Sequence, residues 1–584
     1  MSRPAARHLL LLVAYLAAGV AATWPNATYL TAHRLPAVRD ISGYVWDLWW
    51  TAHQVTHLGN PFFTHYMAAP VGIQLGFTTT MPLAGLIMTP VTLAFGPSVS
   101  YSLLTILLPG LACYVMYRAA RLWLAAPGAV AAGALFGLSS MLAWQDWFHL
   151  NIALGTLFLP MTLEAAVRLR RSPGLRQAVI LGLVLGASVL VNQESAVLAV
   201  LLAAAALLPW LARHPGGLRV LAAGAVAAVV VASPQLIAMA QQAVSGGASI
   251  SAAKLASNYG TYGAGLPGLF APSPQVGHLG LHAVASAYQY RISAEAVATF
   301  GVVLSVLAVC GLAASWRRRS TWLLALLWLG GAVLALGSTL VIGTRAYVPL
   351  AVTWNGARVS LLMPYTWLVH VPGLSALREA DRLAMLGLVG AAVLAGGAVD
   401  WLILRRHARP RVATGALVVV AALAIMEAGW TGTPAVRGLM PTADALRALD
   451  RPIVADHSGS IVLDVPFGLR GGLPLYGAAI AKPAFLLATA DGHPRAVSYT
   501  SWVPRANTRW FKRHPFYVEL VAVQNGSQVS AAELAAARRD VRGMNIGWML
   551  DWGVSQPVVQ YLTATGFVFD YRADQVSVYR PGWR

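Results

Sequence analysis

Few residues in this chain are equipped for proton transfer or phosphate binding, and they fall in short segments. Asp40 stands in Arg39, Asp40, Ile41, Ser42, Gly43, Tyr44, Val45, Trp46, Asp47, ahead of Trp49, Trp50 and His53. A carboxylate there can take a proton from a hydroxyl within hydrogen-bond reach, or do no more than cap a helix. Asp146 and His149, three residues apart, have the types to hold a metal or a substrate, and equally suit interfacial packing. Glu194 follows Asn192 and Gln193 at a helix start, where the helix dipole favours an acid. Arg378 and Arg382 flank Glu379 and Asp381. On one helix face, four residues apart, the two arginines would clamp a phosphate; the alternative is a charge network with the intervening acids.

The elements that must position these residues are membrane helices. The chain has 584 residues, 57% of them hydrophobic and 11% charged, with a mean hydropathy of +0.62. Soluble domains carry about 25% charged residues, so a soluble enzyme is excluded. Thirty-eight of the 41 basic residues are arginine, and the net charge is +20. The membrane comes before any nucleic acid as the partner of that charge, and no nucleic acid is expected. Cys113 and Cys310 lie in apolar runs and offer no disulfide framework.

Runs near the length needed to cross a bilayer, about 20 residues, occur at 8 to 24, 100 to 123, 127 to 144, 150 to 168, 177 to 192, 195 to 212, 219 to 240, 296 to 316, 321 to 342, 383 to 404 and 412 to 430. Residues 81 to 96 are shorter, contain Pro82 and Pro90, and read as an interfacial or re-entrant helix. With eleven spans and a cytoplasmic N-terminus, seventeen basic residues fall in cytoplasmic segments and eight in the longer outer segments before residue 431. This satisfies the positive-inside rule; a span at 81 to 96 would invert it. The C-terminus then lies outside. The first span has the alternative of a cleaved signal peptide, with Arg3 and Arg7 before it and Ala21 and Ala22 at its end.

The first outer loop is residues 24 to 99. Trp46, Trp49, Trp50 and His53 form a helical stripe suited to the bilayer interface. Residues 431 to 584 hold sixteen basic and eleven acidic residues. Strand-like runs at Ile461 to Val465 and Gln575 to Tyr579, with a helix at Ala531 to Arg538, predict a small α/β domain outside the membrane.

Acids are scarce before residue 431. Asp40, Asp47, Asp146, Glu194, Glu295, Glu379 and Asp381 fall in outer loops or at outer helix ends, and Glu427 lies near the outer end of its span. Glu164 and Asp400 lie near cytoplasmic ends. None sits at mid-membrane, where a proton relay or coupling site is expected, so the chemistry is placed on the outer face.

This pattern resembles the GT-C superfamily of membrane glycosyltransferases, and within it the bacterial multi-span proteins with a short C-terminal outer domain. The resemblance covers nearly the full chain. It rests on the stretch from Asp40 through Asn60, Pro61, Phe62 to Pro70, Val71, Gly72; on His149, Leu150, Asn151; on Asn192 to Glu194; on Glu295 with Phe300 and Gly301; on Pro372, Gly373, Leu377, Arg378 and Arg382; and on Asp464, Val465, Pro466, Phe467, Gly468. It implies transfer of a sugar from a polyprenyl-phosphate donor to an envelope glycan, lipid or protein acceptor outside the cytoplasmic membrane, with the lipid phosphate as leaving group. Asp40 matches the acid that acts on the acceptor hydroxyl or holds a metal. Arg378 and Arg382 become candidates for the leaving phosphate, with His149 as a supporting donor. Asp47, Asp146 and Glu194 are the other candidate substrate-binding residues. No second acid sits two residues from Asp40, since Asp47 is seven away, so a metal-independent inverting transfer is expected; a divalent metal stays open as a cofactor.

Two rivals remain. A transporter or lipid flippase predicts ionisable mid-membrane sites and repeated halves, neither of which is evident, although Pro160 and Pro234 have the type to break spans. A non-catalytic envelope-assembly scaffold predicts that Asp40→Asn leaves function intact.

Overall fold

Seven helices in the computed structural model of the chain are long and apolar enough to cross a membrane: Ala5–Ala22, Pro97–Ala120, Ala126–Ala143, Leu150–Arg171, Gln193–Leu211, Gly217–Val244 and Ala380–Ile403. The structure describes residues 3–78, 80–245, 262–270, 298–343, 345–354, 356–371, 374, 377, 379–405, 410–428, 439–470, 474–500 and 502–583. Each of the seven matches an expected span. The other four expected spans correspond to shorter apolar helices, Leu175–Val189, Val302–Ser315, Arg319–Ala335 and Thr414–Leu423. Glycines set two of those limits. Gly301, at φ 76°, stands at the start of Val302–Ser315; Gly337, also at φ 76°, follows Arg319–Ala335. Residues 340 to 342, expected in the span, instead pair as a strand with Arg345–Tyr347. Helix Pro82–Phe95 keeps Pro90 inside it and spans about 21 Å at 1.5 Å per residue.

The chain divides into two compact units. The first comprises Met1–Thr28, Ser102–Ala232 and Ile250–Ala435. Small residues let its helices approach closely, as in other membrane bundles: a Cβ on Gly311 would fall 1.8 Å from the Leu394 carbonyl oxygen. Three of its acids have structural partners. Asp400 accepts the Gly128 and Ala125 backbone N–H groups at 2.6 and 2.7 Å. Glu427 accepts those of Val302 and Val303. Both thereby satisfy donors that a helix start leaves without intrahelical partners. Glu164 pairs with Arg118 at 2.8 Å and Arg168 at 2.9 Å. Cys113 is buried and Cys310 exposed, and neither is in a disulfide.

The second unit comprises Tyr29–Tyr101, Ser233–Ser249 and Val436–Arg584. Its four-stranded sheet has the order Phe567–Ala573, Val576–Pro581, Ile546–Asp551, Ile461–Val465. The last two strands run parallel and the other pairings are antiparallel. The expected helix extends over Ala531–Arg542 and carries a capping box between Ser530 and Glu533, which satisfies two end groups reciprocally. Residues of the expected first outer loop are built into this unit. Arg34–Pro36 pairs with Leu439–Pro441, Ala68 and Ala69 donate to the carbonyls of Val497 and Arg495 at 3.0 and 2.9 Å, and Asn507 Nδ2 donates to Gly72 O at 2.6 Å. Trp46 and Trp50 lie in one core with Leu463, Val465, Phe467 and Phe485. The tryptophan stripe expected at the bilayer interface is therefore largely an internal face: Trp46 is 0% exposed, because the chain from residue 461 onward packs over it.

In the same unit, Arg495 is fully buried with Asp464 and Asp491, which are as enclosed as it is. Its Nη1 is 3.5 Å from Asp464 and its Nη2 bonds Asp491. Trp552 Nε1 donates to Asp464 at 2.8 Å. Burial, and after it the neighbouring Asp491 charge, push Asp450 up to about 7, with Arg495 pulling the other way. A carboxyl raised from its ordinary 3.8 contributes stability that is full below 3.8 and lost as pH rises through about 7. Asp450→Asn is expected to flatten that loss and raise the melting temperature above pH 7; thermal melts of the full chain from pH 5 to 8 check this, and unchanged curves would refute it.

Candidate functional site

Asp40 lies in the first turn of helix Arg39–His57, following Val38 in extended conformation. The sequence places it just before that helix; inside the first turn it faces the positive end of the helix dipole. The helix ends at Leu58, whose φ is 51°. The Asp40 carboxylate accepts a hydrogen bond from the half-buried Tyr499 hydroxyl. Tyr499 sits on strand Ser498–Tyr499, parallel to Gly468–Arg470, with Arg470 opposite it in register. The Arg470 guanidinium lies 5.2 Å from the Tyr499 ring centroid, a cation over the electron-rich ring face that makes the phenol a better donor. Gly43, one turn beyond Asp40, lies against the ring: a Cβ there would be in van der Waals contact, 3.4 Å from Tyr499 Cδ1.

Asp47 is on the same helix, two turns on, and is 7% exposed. Burial alone pushes its carboxyl well above the usual range. His53 stacks on Trp49 and Trp50 with ring centroids 5.2 and 5.6 Å apart. Burial, and then His57, lower its pKa.

The remaining candidates belong to the first unit. Helix Ser140–Phe148 starts at Ser139, which accepts the Leu142 N–H. Gln145 and Asp146 follow on it, and His149 breaks the helix at φ −138°, ψ 68°. His149 Nδ1 bonds Gln145 Oε1 at 3.0 Å, so the ring pairs with the amide rather than with Asp146. Asp146 is 1% exposed, its Oδ1 meets no donor among the described residues, and burial pushes its carboxyl well up.

Asn192 caps helix Gln193–Leu211, its Oδ1 accepting the Ser195 N–H at 2.7 Å. Glu194 lies in the first turn and pairs with Arg382. Arg382 also pairs with Glu379, and both acids meet the same Nη1. Helix formation here begins at Ala380, as a 3-10 turn before Ala384–Arg405, with Glu379 at φ −105°, ψ 87°. Arg382 thus belongs to a carboxylate network with Glu194 and Glu379. Arg378, Glu295, Pro372 and Gly373 lie outside the described residues.

Among the described residues no three His, Cys, Asp or Glu side chains stand together as a metal centre, and one Asp40 oxygen is already bonded by Tyr499. Tyr499 and Arg470 have no signal in the sequence, because they act through a bond between residues 459 positions apart.

No protein-family model matches the chain, and no curated protein matches its sequence. Among solved structures it is similar to the arabinofuranosyltransferase AftD from Mycobacteria, with 14% identity and a TM-score of 0.56 over 100% of this chain and 42% of that one. ArnT from Cupriavidus metallidurans bound to undecaprenyl phosphate gives 12% identity and a TM-score of 0.49, covering 98% of this chain and 97% of its own. The archaeal oligosaccharyltransferase AglB from Archaeoglobus fulgidus gives 13% and 0.45, covering 94% and 70%. The chain spans less than half the length of the arabinofuranosyltransferase it matches. That match runs the full length of the present chain, and its fold is the GT-C fold.

Proposed function

We propose that the chain is a membrane glycosyltransferase that moves a sugar from a polyprenyl-phosphate donor to an envelope glycan, lipid or protein acceptor on the outer face of the cytoplasmic membrane. The observation that carries this reading is Asp40, a carboxylate in the first turn of its helix and bonded by the Tyr499 hydroxyl, in a chain of GT-C fold. In this reading the seven long apolar helices and the four shorter ones all cross the membrane and the N-terminus is cytoplasmic, so that residues 24 to 99 and 431 to 584 lie outside.

In this reading Asp40 takes the proton of the acceptor hydroxyl as that oxygen bonds to the anomeric carbon. The bond from that carbon to the phosphate oxygen breaks, and its electron pair leaves with the polyprenyl phosphate. Displacement from the opposite face inverts the anomeric centre. Arg378, Arg382 and His149 are assigned to the departing phosphate, where cationic donors act most strongly; Arg382 serves there by exchanging a carboxylate partner, Glu194 or Glu379, for the phosphate. Asp47, Asp146 and Glu194 are assigned to substrate binding.

Cells lacking the protein should lose one sugar from the envelope and accumulate its lipid-phosphate donor, as read by mass spectrometry of envelope glycans and lipid-linked sugars. An unchanged profile would overturn the reading in favour of transport or scaffolding. Tyr499→Phe removes one hydrogen bond to a charged group, of order 1.5–3 kcal/mol, and should lower kcat about tenfold or more with little change in KM; equal kcat for variant and wild type would remove Tyr499 from the mechanism.

A further inference from the structure

A cavity of about 420 Å³, lined by none of the residues around Asp40, opens in the first unit at helix ends rich in arginine. Its walls come from the turn before helix Ala126–Gly137, the end of Val302–Ser315, the start of Arg319–Ala335 and the last turns of Ala384–Arg405. Two opposite charges line it, Arg318 and Asp400. Arg318 precedes helix Arg319–Ala335, is exposed, and is paired with no carboxylate among the described residues. Asp400 is held in place by the backbone N–H groups of Ala125 and Gly128; each of its oxygens keeps further acceptor capacity, since a carboxylate offers about four lone-pair sites. Ser320 adds a hydroxyl, and Trp123 and Trp401 add aromatic walls.

The surroundings give the depth of the cavity. Trp316, Trp322 and Trp401 are exposed at these helix ends, with Arg317, Arg318 and Arg319 beside them. Trp322 Nε1 donates to Trp316 O at 2.7 Å, and the Arg317 guanidinium lies 5.4 Å from the Trp316 ring centroid. Exposed tryptophans and arginines at helix ends mark the headgroup level of a bilayer. Leu323 and Leu326, also exposed, continue along the same helix as an apolar track.

We propose that this cavity binds the headgroup of a zwitterionic phospholipid carrying a primary ammonium, its phosphate against Arg318 and Ser320 and its ammonium against Asp400, with the acyl chains along the apolar helix face. One cation and one anion fit a dipolar headgroup; an anionic headgroup would meet Asp400, and a trimethylated one would lose the hydrogen bonds to it. This inference is independent of the sugar-transfer reading and survives its failure.

The test is native mass spectrometry of the full chain in detergent, titrated with phosphatidylethanolamine, its N-methylated series, phosphatidylcholine and phosphatidylglycerol, with inorganic phosphate as competitor. One phosphatidylethanolamine per chain should bind, weakening stepwise with methylation, by about tenfold at phosphatidylcholine. Arg318→Gln should weaken it by a similar factor without changing the melting temperature. Gly397→Leu, which fills the cavity, should abolish it. The headgroup series on the wild-type chain needs no variant and decides the matter if a variant misfolds. Equal binding of phosphatidylcholine, preference for phosphatidylglycerol, indifference to Arg318→Gln in a folded variant, or displacement by inorganic phosphate would each overturn the proposal.

Discussion

Asp40→Asn is expected to reduce sugar transfer by about 10²–10⁴-fold, the range a positioned general base contributes, while leaving the fold intact. Asparagine has the shape of aspartate, and its amide oxygen still accepts from the Tyr499 hydroxyl that bonds Asp40 in the wild type. The loss therefore falls on proton acceptance rather than on packing. Two measurements check it. In cells lacking the protein, only the wild-type gene should restore the missing envelope sugar. With purified protein, the variant should match the wild-type melting temperature while kcat falls. Restoration by both genes would show that Asp40 is not the base and would favour a scaffolding role.

Arg495→Met should destabilise the fold by about 3–5 kcal/mol, the range for removing one partner of a buried ion pair. Arg495, Asp464 and Asp491 are all 0% exposed, so without the guanidinium the acids lose the cation that stabilises their charge. Methionine has an unbranched stem of similar reach and keeps the packing near neutral. The effect should be larger at pH 8 than at pH 5, because protonation removes the uncompensated charge at low pH. The Arg495 backbone also donates to Tyr66 O and accepts from the Ala69 N–H, and those bonds remain in the variant. Thermal melts of the full chain read the loss. Adding Asp464→Asn and Asp491→Asn to Arg495→Met should recover part of it; a variant as stable as the wild type would refute the account.

Local features of the chain are legible without any fold. Apolar length locates the seven long helices, and Asn192, a polar residue before an apolar run, marks the start of Gln193–Leu211 and does cap it. The run Ile461–Val465 reads as a strand and the alanine-rich segment as a helix, and both are so; the run 575–579 is a strand from Val576 onward, with Gln575 in the turn before it. The misplaced span end has a local cause too. Residues 340 to 342 are as apolar as the span before them, and the left-handed Gly337 with a hairpin partner at Arg345–Tyr347 outweighs that apolarity.

Contiguous residues suffice to say which stretches are apolar enough to enter a membrane, where helices start, and that Asp40 stands at the beginning of one. Hydrophobic length, capping and the dipole act between residues close in the chain, so short segments record them. It took the folded chain to make Trp46 a core residue, to bond Tyr499 to Asp40, to set Arg382 between Glu194 and Glu379, and to bring Asp400 and Glu427 to the starts of other helices. Each of those outcomes joins residues that the chain separates or that a turn reorients. A side chain carries its own charge and size but not the identity of its partner, which is fixed by how whole elements bury their apolar faces and satisfy their polar groups.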